Sequence, residues 1–429
     1  MPRFSRSIAS PAMDFGSAAC IPDALPAAGS RSAGSFARNW KISCSMRPGE
    51  DRDQHGNVAW RKALESVRPR IAQARARPLD VPLKAPFTIA TTKLEAVANV
   101  AVRVELADGS VGWGEAPTLF PVTAEDQTVA LDQAGRCCRM LEQLEPGLSC
   151  MEILSSVGNL LPGHNYASAR AGIEMAVIDA AARSVGIPLW KFFGGASNFV
   201  TTDITIPICE PDIAARLAME YAQRGFQTVK TKVGGRDLSS DIAMLHAIRS
   251  SHPTCNLILD ANEGYTSHEA LRVLQELQEQ GITPILFEQP VARADWDGLA
   301  LVSKKARELY GVPVAADESC RSLDDAQRIA DEELAPVINV KLAKLGVLGA
   351  LEVISLAREK KIELMIGGMV ETRLGMGFAA HLAAGFGFFR YIDLDTPLLL
   401  AEDPIEGGYQ VHSKKYIMTD APGQGIDLK

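Results

Sequence analysis

Leu257-Ile258-Leu259-Asp260-Ala261-Asn262 is an apolar run that stops at a carboxylate, and the design returns as Ile285-Leu286-Phe287-Glu288-Gln289-Pro290 and as Pro313-Val314-Ala315-Ala316-Asp317-Glu318-Ser319. A short apolar run bounded by polar and turn-forming residues reads as a strand buried on both faces, where an interior charge gains nothing. The carboxylates therefore mark strand ends, and they recur at spacings of 28 and 29 residues. Extended outward, the rhythm places strand starts near Asp203, Phe226, Asn256, Pro284, Pro313, Val337, Glu363 and Tyr391, 23 to 30 residues apart. Helical stretches lie between them at Asp212–Arg224, Leu238–Ser250, Ser267–Gln280, Asp295–Leu309, Leu323–Asp331, Val347–Lys360 and Leu374–Gly385. Eight buried strands alternating with seven helices argue for an α/β fold, a TIM-type (β/α)7β barrel, over an open doubly wound sheet.

The barrel reading covers residues 201–400, and residues 76–200 have a different pattern. Valine-rich alternation from Ala98 to Leu106, the Asp108-Gly109 turn and Val111-Gly112-Trp113-Gly114 read as a hairpin, and Ala167 to Val185 as a helix stopped by Gly186 and Pro188. Strands followed by helices imply a small N-terminal α+β capping domain. Residues 401–429 carry no further βα unit and are expected to return to it. Residues 50–75 read as a polar, partly helical linker. Residues 1–49 hold six basic residues but only Asp14 and Asp23 as acids, amid serine and alanine. That is the composition of a transit peptide, and Ile42-Ser43-Cys44 resembles a chloroplast processing site, so a plastid stromal location is expected.

The formal charge of −8 is the wrong sign for a nucleic-acid binder. No stretch approaches the roughly 20 apolar residues of a membrane span. None of the eight cysteines forms a C-x-x-C pair, and vicinal Cys137-Cys138 falls in a helical pattern where packing explains it best.

In a barrel of this type the strand C-termini form the active-site face. Asp260, Glu288 and Asp317 there offer the oxygen ligands that Mg2+ prefers, whereas helix capping explains one or two acids but not a regular triplet. The second strand ends Val229-Lys230-Thr231-Lys232, with both lysines on the inward parity, and the sixth ends Asn339-Val340-Lys341, with Lys344 off-parity or in the loop. Lys232 and Lys341 thus face each other across half a barrel. A metal can stabilise an enolate formed next to a carboxylate, and a second cation such as Lys230 lowers the pKa of a lysine base. One lysine on each face gives 1,1-proton transfer: epimerisation.

These K-x-K, D-x-N, E-Q-P, D-E-S and N-x-K motifs, in this order and with Gly112-Trp113-Gly114-Glu115 upstream, resemble the enolase superfamily in its muconate-cycloisomerase-like branch. The resemblance spans about residues 76–420. It implies a modified TIM-type barrel under a capping domain, Asn262 and Glu318 as supporting residues, and Met369 and Lys230 at the substrate. No histidine follows the seventh strand, which argues against the mandelate-racemase-like branch. The nearest likeness is to dipeptide epimerases, in which an aspartate pair after the eighth strand holds the α-ammonium; here it reads Asp393-Leu394-Asp395. The implied partner is a small dipeptide of the form Ala-Xaa, with a homo-oligomer left open. Relatives that favour Ala-Glu carry an arginine near Thr92 in the capping loop, so the resemblance implies a neutral second residue unless Lys93 substitutes. o-Succinylbenzoate synthase and N-acylamino-acid racemase share the lysines and acids but have no ammonium for Asp393 and Asp395. A catalytically silent binding protein is expected to have lost a ligand or a base, and none is missing.

Overall fold

The computed structural model describes residues 60–90 and 92–429. The expected transit peptide over 1–49 lies outside them. Strands β1 (Ile71–Thr88), β2 (Lys93–Leu106) and β3 (Val111–Ala116) form an antiparallel sheet. The expected Asp108-Gly109 turn joins β2 to β3: Gly109 takes φ 84° and Leu106 N–H donates to Ser110 O (2.8 Å). Helices α1 (Gln127–Leu141), α2 (Cys150–Leu160) and α3 (Ala167–Ser184) complete the domain, followed by the short α4 (Leu189–Phe192). The start of α2 is fixed by a capping box between Ser149 and Glu152. The glycines around Trp113 let β3 lie directly on α3. A Cβ at Gly112 would sit 2.2 Å from Ala176 O, and one at Gly114 2.0 Å from Gly172 O.

The stretch expected to be a linker is, from residue 60 onward, part of this domain. Trp60, Ala63, Leu64 and Val67 are buried in its core, and β1 begins at Ile71, ahead of the expected boundary. Its polar composition hid a helical stripe with apolar residues three and four apart. Cys137 and Cys138 are buried in α1, and burial pushes both thiols up to about 12, as packing residues require.

After β4 (Phe199–Thr201) come eight parallel strands in sequential order: β5 (Ile204–Ile206), β6 (Thr228–Lys232), β7 (Asn256–Asp260), β8 (Leu286–Glu288), β9 (Val314–Ala316), β10 (Val337–Lys341), β11 (Glu363–Gly367) and β12 (Tyr391–Ile392). Seven helices connect them: α5 (Pro211–Gln223), α6 (Leu238–Ser251), α7 (Ser267–Glu279), α8 (Trp296–Lys305), α9 (Leu323–Asp331), α10 (Leu342–Lys360) and α11 (Arg373–Phe386). The sheet curls until its first and last strands meet, where Asp203 N–H donates to Ile392 O (3.0 Å). Helix α10 starts ahead of the expected Val347 because a first turn, Leu342–Leu345, precedes a break at Gly346, where φ is 71°.

Inside the sheet, Ile258, Leu286, Ala315, Val337, Met365 and Tyr391 form a closed apolar cluster. Two residues further along the same strands stand Asp260, Glu288, Asp317, Asn339, Gly367 and Asp393. The two-residue period of a strand thus sets a polar layer directly on an apolar floor. The C-terminal segment supplies β13 (Ile405–Gly407) paired with β16 (Ile426–Leu428), and β14 (Tyr409–His412) and β15 (Lys415–Met418), with β15 also paired to β4. It returns to the capping domain: Gln424 Nε2 donates to Trp113 O (3.1 Å) and Ala401 N–H to Pro82 O (2.8 Å). Among the described residues no helix is long and apolar enough to cross a membrane.

Candidate active site

The polar layer at the strand ends is buried throughout. Asp260, Glu288 and Asp317 have no exposed surface, and Lys230, Lys232, Lys341 and Lys344 are buried beside them. Lys230 Nζ lies 2.9 Å from Asp260, 2.7 Å from Glu288 and 2.6 Å from Asp393. Lys232 Nζ lies 2.6 Å from Asp260 Oδ2, and Lys341 Nζ 2.6 Å from Asp317 Oδ2. Lys344, whose parity argued against a role, also reaches Asp317 Oδ1 (2.6 Å) and the Asn339 carbonyl (3.1 Å). The break at Gly346 lets the turn before it swing this side chain inward.

These ammonium groups set the charge of the acids. Burial opposes ionisation of Asp260, but Lys230, Lys232 and Lys341 outweigh it and hold the carboxyl below its usual range. Lys341 and Lys344 do the same for Asp317. Glu288, desolvated and repelled by Asp260, is pushed up to about 7. At Lys341 burial and the neighbouring Lys230 act in the expected direction, lowering the pKa, but Asp317 and Glu288 outweigh them and hold the value above the ordinary lysine range. Three buried, oxygen-only side chains on adjacent strands suit a hard divalent cation. Glu288 Oε2 and Asp317 Oδ2 face ammonium groups, Lys230 Nζ at 2.7 Å and Lys341 Nζ at 2.6 Å, and a carboxylate oxygen so held keeps a further lone pair for such an ion.

The loops after β7 and β8 are strained in a way that aims these groups. Asn262, Glu263 and Gln289 have φ of 40°, 72° and 34°, which non-glycine residues rarely adopt. Asn262 Nδ2 donates to Glu318 Oε1 (3.0 Å), and its backbone N–H to Asp260 Oδ1 (3.0 Å). Glu318, desolvated and beside Asp317, is pushed up to about 8. Gln289 Oε1 accepts from the N–H groups of Asp317 (2.9 Å) and Ser319 (3.1 Å), so the E-Q-P turn fixes the D-E-S turn. Asn339 Nδ2 donates to Glu288 Oε1 (2.7 Å). Sequence reading assigned neither Gln289 nor Asn339 a role, although both belong to the quoted motifs.

A cavity above this layer is lined by Lys232, Lys341, Asn262, Met369, Asp393 and Asp395, with Thr205, Val370 and Thr396 beside them. Its lysines come from β6 and β10, four places apart in an eight-stranded sheet, as opposite walls require. Phe87 and Ile89 of the capping hairpin and Leu119 and Val122 after β3 close it from above. Thr92 is not among the lining residues. Its carbonyl accepts from Ile89 N–H (3.0 Å), and it is Phe87 and Ile89 of this segment that meet the cavity. Asp395 Oδ2 accepts from Thr205 N–H (2.6 Å), and its carboxyl is pushed up to about 7 by burial and by Asp393. The acids of β7–β9 are interleaved with lysines. Among the described residues, the three acids whose oxygens lie mutually within 4.8 Å are instead Asp203, Asp393 and Asp395. Asp203, just before β5, escaped sequence reading; its only signal was an acid at the start of an apolar strand.

Residues 72–194 match the family model described as the mandelate racemase/muconate lactonizing enzyme N-terminal domain, and residues 212–429 match the enolase C-terminal domain-like model. The chain is 56% identical over 375 residues to an L-Ala-D/L-amino acid epimerase of Populus trichocarpa, covering 87% of this chain and 89% of the relative. It is 41% identical over 357 residues to an aromatic dipeptide epimerase of Herpetosiphon aurantiacus, covering 82% and 97%. Among solved structures, the Enterococcus faecalis dipeptide epimerase complexed with Mg and the dipeptide L-Leu-L-Tyr superposes with a TM-score of 0.76 at 32% identity, covering 83% of this chain and 99% of that one.

Proposed function

Because the chain belongs to the enolase superfamily, we propose that it is a magnesium-dependent dipeptide epimerase that inverts the α-carbon of the second residue. The observation that carries this reading is the shared lining of one cavity by Lys232, Lys341, Asp393 and Asp395. Bases on opposite walls suit proton removal on one face and delivery on the other, and the aspartate pair suits a free α-ammonium. The names of the poplar and Herpetosiphon relatives, both epimerases, support the activity.

Asp260, Glu288 and Asp317 would hold the magnesium. When bound, the ion supplies positive charge against the substrate carboxylate, on which an enolate develops. The side chains do the rest. Asp393 and Asp395 anchor the ammonium end and so fix which carbon lies between the lysines. The lysine Nζ that is neutral takes the α-proton from its side, and the opposite ammonium returns one from the other, which inverts the centre. Lys230 remains charged among Asp260, Glu288 and Asp393 and keeps these acids from repelling one another. Phe87, Ile89, Leu119, Val122 and Met369 exclude water and favour an apolar second side chain, in place of the cation that a glutamate would need.

The test uses unblocked L-Ala-L-Xaa dipeptides, with Xaa apolar, in deuterated water. Wild type should exchange the α-proton of the second residue and equilibrate its stereoisomers. Lys232→Met and Lys341→Met should each lose epimerisation by about 100-fold or more. In mass and chiral analysis they should label opposite stereoisomers. Labelling of the same isomer by both variants contradicts the two-face mechanism, and absence of any exchange by wild type contradicts the activity.

A further inference from the structure

Three carboxyl groups meet where the barrel closes, and their partners are unequally shared. Asp393 Oδ2 has Lys230 Nζ at 2.6 Å, and Asp395 Oδ2 has the Thr205 N–H at 2.6 Å. Asp203, 3% exposed, has no N–H or hydroxyl donor on either carboxyl oxygen among the described residues, although oxygens of all three acids lie within 4.8 Å of one another. Its own backbone is pinned at the closure, where its N–H donates to Ile392 O (3.0 Å), which fixes the point from which the side chain extends. Lys230, the ammonium bonded to Asp393, is also committed to Asp260 and Glu288.

Three unscreened negative charges this close, served by a share of one lysine, repel strongly in a buried site. A single proton relieves that repulsion, and Asp203 is the member with no donor to lose by accepting it. We infer that Asp203 is a positioning residue of the amine site, sharing a proton with Asp393 so that the pair after β12 stays fixed and Asp395 Oδ1 remains free to accept from a substrate ammonium. Asp395 Oδ1 is indeed buried and unpartnered. The inference rests on reading Asp393 and Asp395 as the ammonium acceptors.

The groups facing Asp203 support a proton over a stray cation. Burial first, and then Asp393 and Asp395, push its carboxyl well above the ordinary range, with Lys230 of β6 the charge opposing the shift. Tyr416 of β15 faces the cluster too, but its hydroxyl is spent on Leu394 O (3.1 Å). On the other side Asp203 lines a cavity at the foot of the barrel together with Arg390 of the β12 approach and Lys414 beside β15. Lys414 there would disfavour an incoming metal ion, Arg390 being already paired with Glu363, whereas water in that cavity can deliver a proton.

Two measurements on the full-length enzyme test this. The infrared difference spectrum of wild type minus Asp203→Asn at pH 7 should contain the carbonyl band of a protonated carboxylic acid that shifts in deuterated water. Its absence overturns the shared proton, whatever the substrate is. In kinetics with an unblocked L-Ala-L-Leu dipeptide, Asp203→Leu should raise KM about tenfold, the value of one hydrogen bond to a charged acceptor, with kcat changed less than about threefold. Asp203→Asn, which can still donate, should restore KM. Equal KM for wild type and Asp203→Leu overturns the positioning role. A sodium or potassium dependence of KM in wild type, lost in Asp203→Asn, overturns the proton in favour of a bound cation. If wild type ignores unblocked dipeptides altogether, the amine role falls with that reading while the infrared band still decides the proton.

Discussion

Asp260, Glu288 and Asp317 stand at the ends of β7, β8 and β9 with four lysines among them, whereas Asp203, Asp393 and Asp395 stand at the sheet closure with a share in only one. Asp317 and Asp395 are equally inaccessible, yet the first is held below its usual range and the second is pushed up to about 7. Depth of burial alone therefore does not decide the charge of these two acids; the ammonium groups within reach of Asp317 do, while at Glu288 desolvation and Asp260 outweigh Lys230. The lysine-rich group keeps Asp260 and Asp317 ionised while buried and leaves only Glu288 near neutrality, which suits binding a divalent cation. The lysine-poor group is short of positive charge, which suits receiving an ammonium.

The largest effect should follow from removing charge at the lysine-rich group. Glu288→Gln keeps the shape and the bond from Asn339 but takes away one anion. Dipeptide turnover should fall by about 100-fold or more, and magnesium affinity measured by calorimetry should fall with it. If turnover persists near wild type in Glu288→Gln, or in excess chelator, the division of labour between the two groups is broken.

A smaller effect, with a pH signature, is expected at the lysine-poor group. An ammonium binds the ionised form of Asp395, and with its carboxyl near 7 a proton competes below that pH. KM for an unblocked dipeptide should therefore fall as pH rises from about 5.5 to 8, with kcat less affected. Asp395→Asn should raise KM by about tenfold at pH 7.5 and flatten that slope. An unchanged slope in the variant would assign the titration elsewhere and remove the contrast between the groups.

The same contrast explains what sequence could and could not reveal. Asp260, Glu288 and Asp317 were legible because each follows several apolar residues on one parity, so a strand model alone aims them inward. Lys230, Lys232 and Lys341 were legible for the same reason, and so were the hairpin of the capping domain and the eight-strand rhythm. Asp203 was not, because it precedes a strand of only three residues and owes its place to a backbone bond with β12, far away in the chain. Lys344 was hidden by the break at Gly346, since parity arguments assume an unbroken element. Phe87 and Ile89 were not legible, because position along a hairpin does not tell which side chains overhang the barrel. Trp60 to Val67 looked like linker because few apolar residues suffice when each is fully used.

The smallest predicted effect concerns a third acidic pair, which sharpens the comparison by being neutralised in yet another way. Glu115 of β3 reaches from the capping domain to the start of α11, where it accepts from Thr372 Oγ1 (2.7 Å), Gly375 N–H (2.9 Å) and Asn99 Nδ2 (2.6 Å). Glu371 lies against it, bonded only to Met369 N–H (2.9 Å), so burial and the charge of Glu115 push its carboxyl up to about 8. Hydrogen-bond donors here take the place of lysines, and the member with fewer donors takes the proton. The sign follows from linkage. The folded protein keeps a proton that an unfolded glutamate releases above about 4.5, so Glu371 favours the fold less and less as pH climbs from there through about 8. Melting temperature should therefore drop between pH 5.5 and 8.5 more steeply in wild type than in Glu371→Gln, whose amide mimics the protonated acid throughout. The difference should amount to a few degrees, at roughly 2–4 °C per kcal/mol. Other buried acids such as Glu174, raised to about 7 by desolvation, slope the same way in both proteins and cancel in the comparison. Parallel melting curves would mean that Glu371 is ionised across the range, and that the seam between cap and barrel tolerates two adjacent charges that the barrel interior does not.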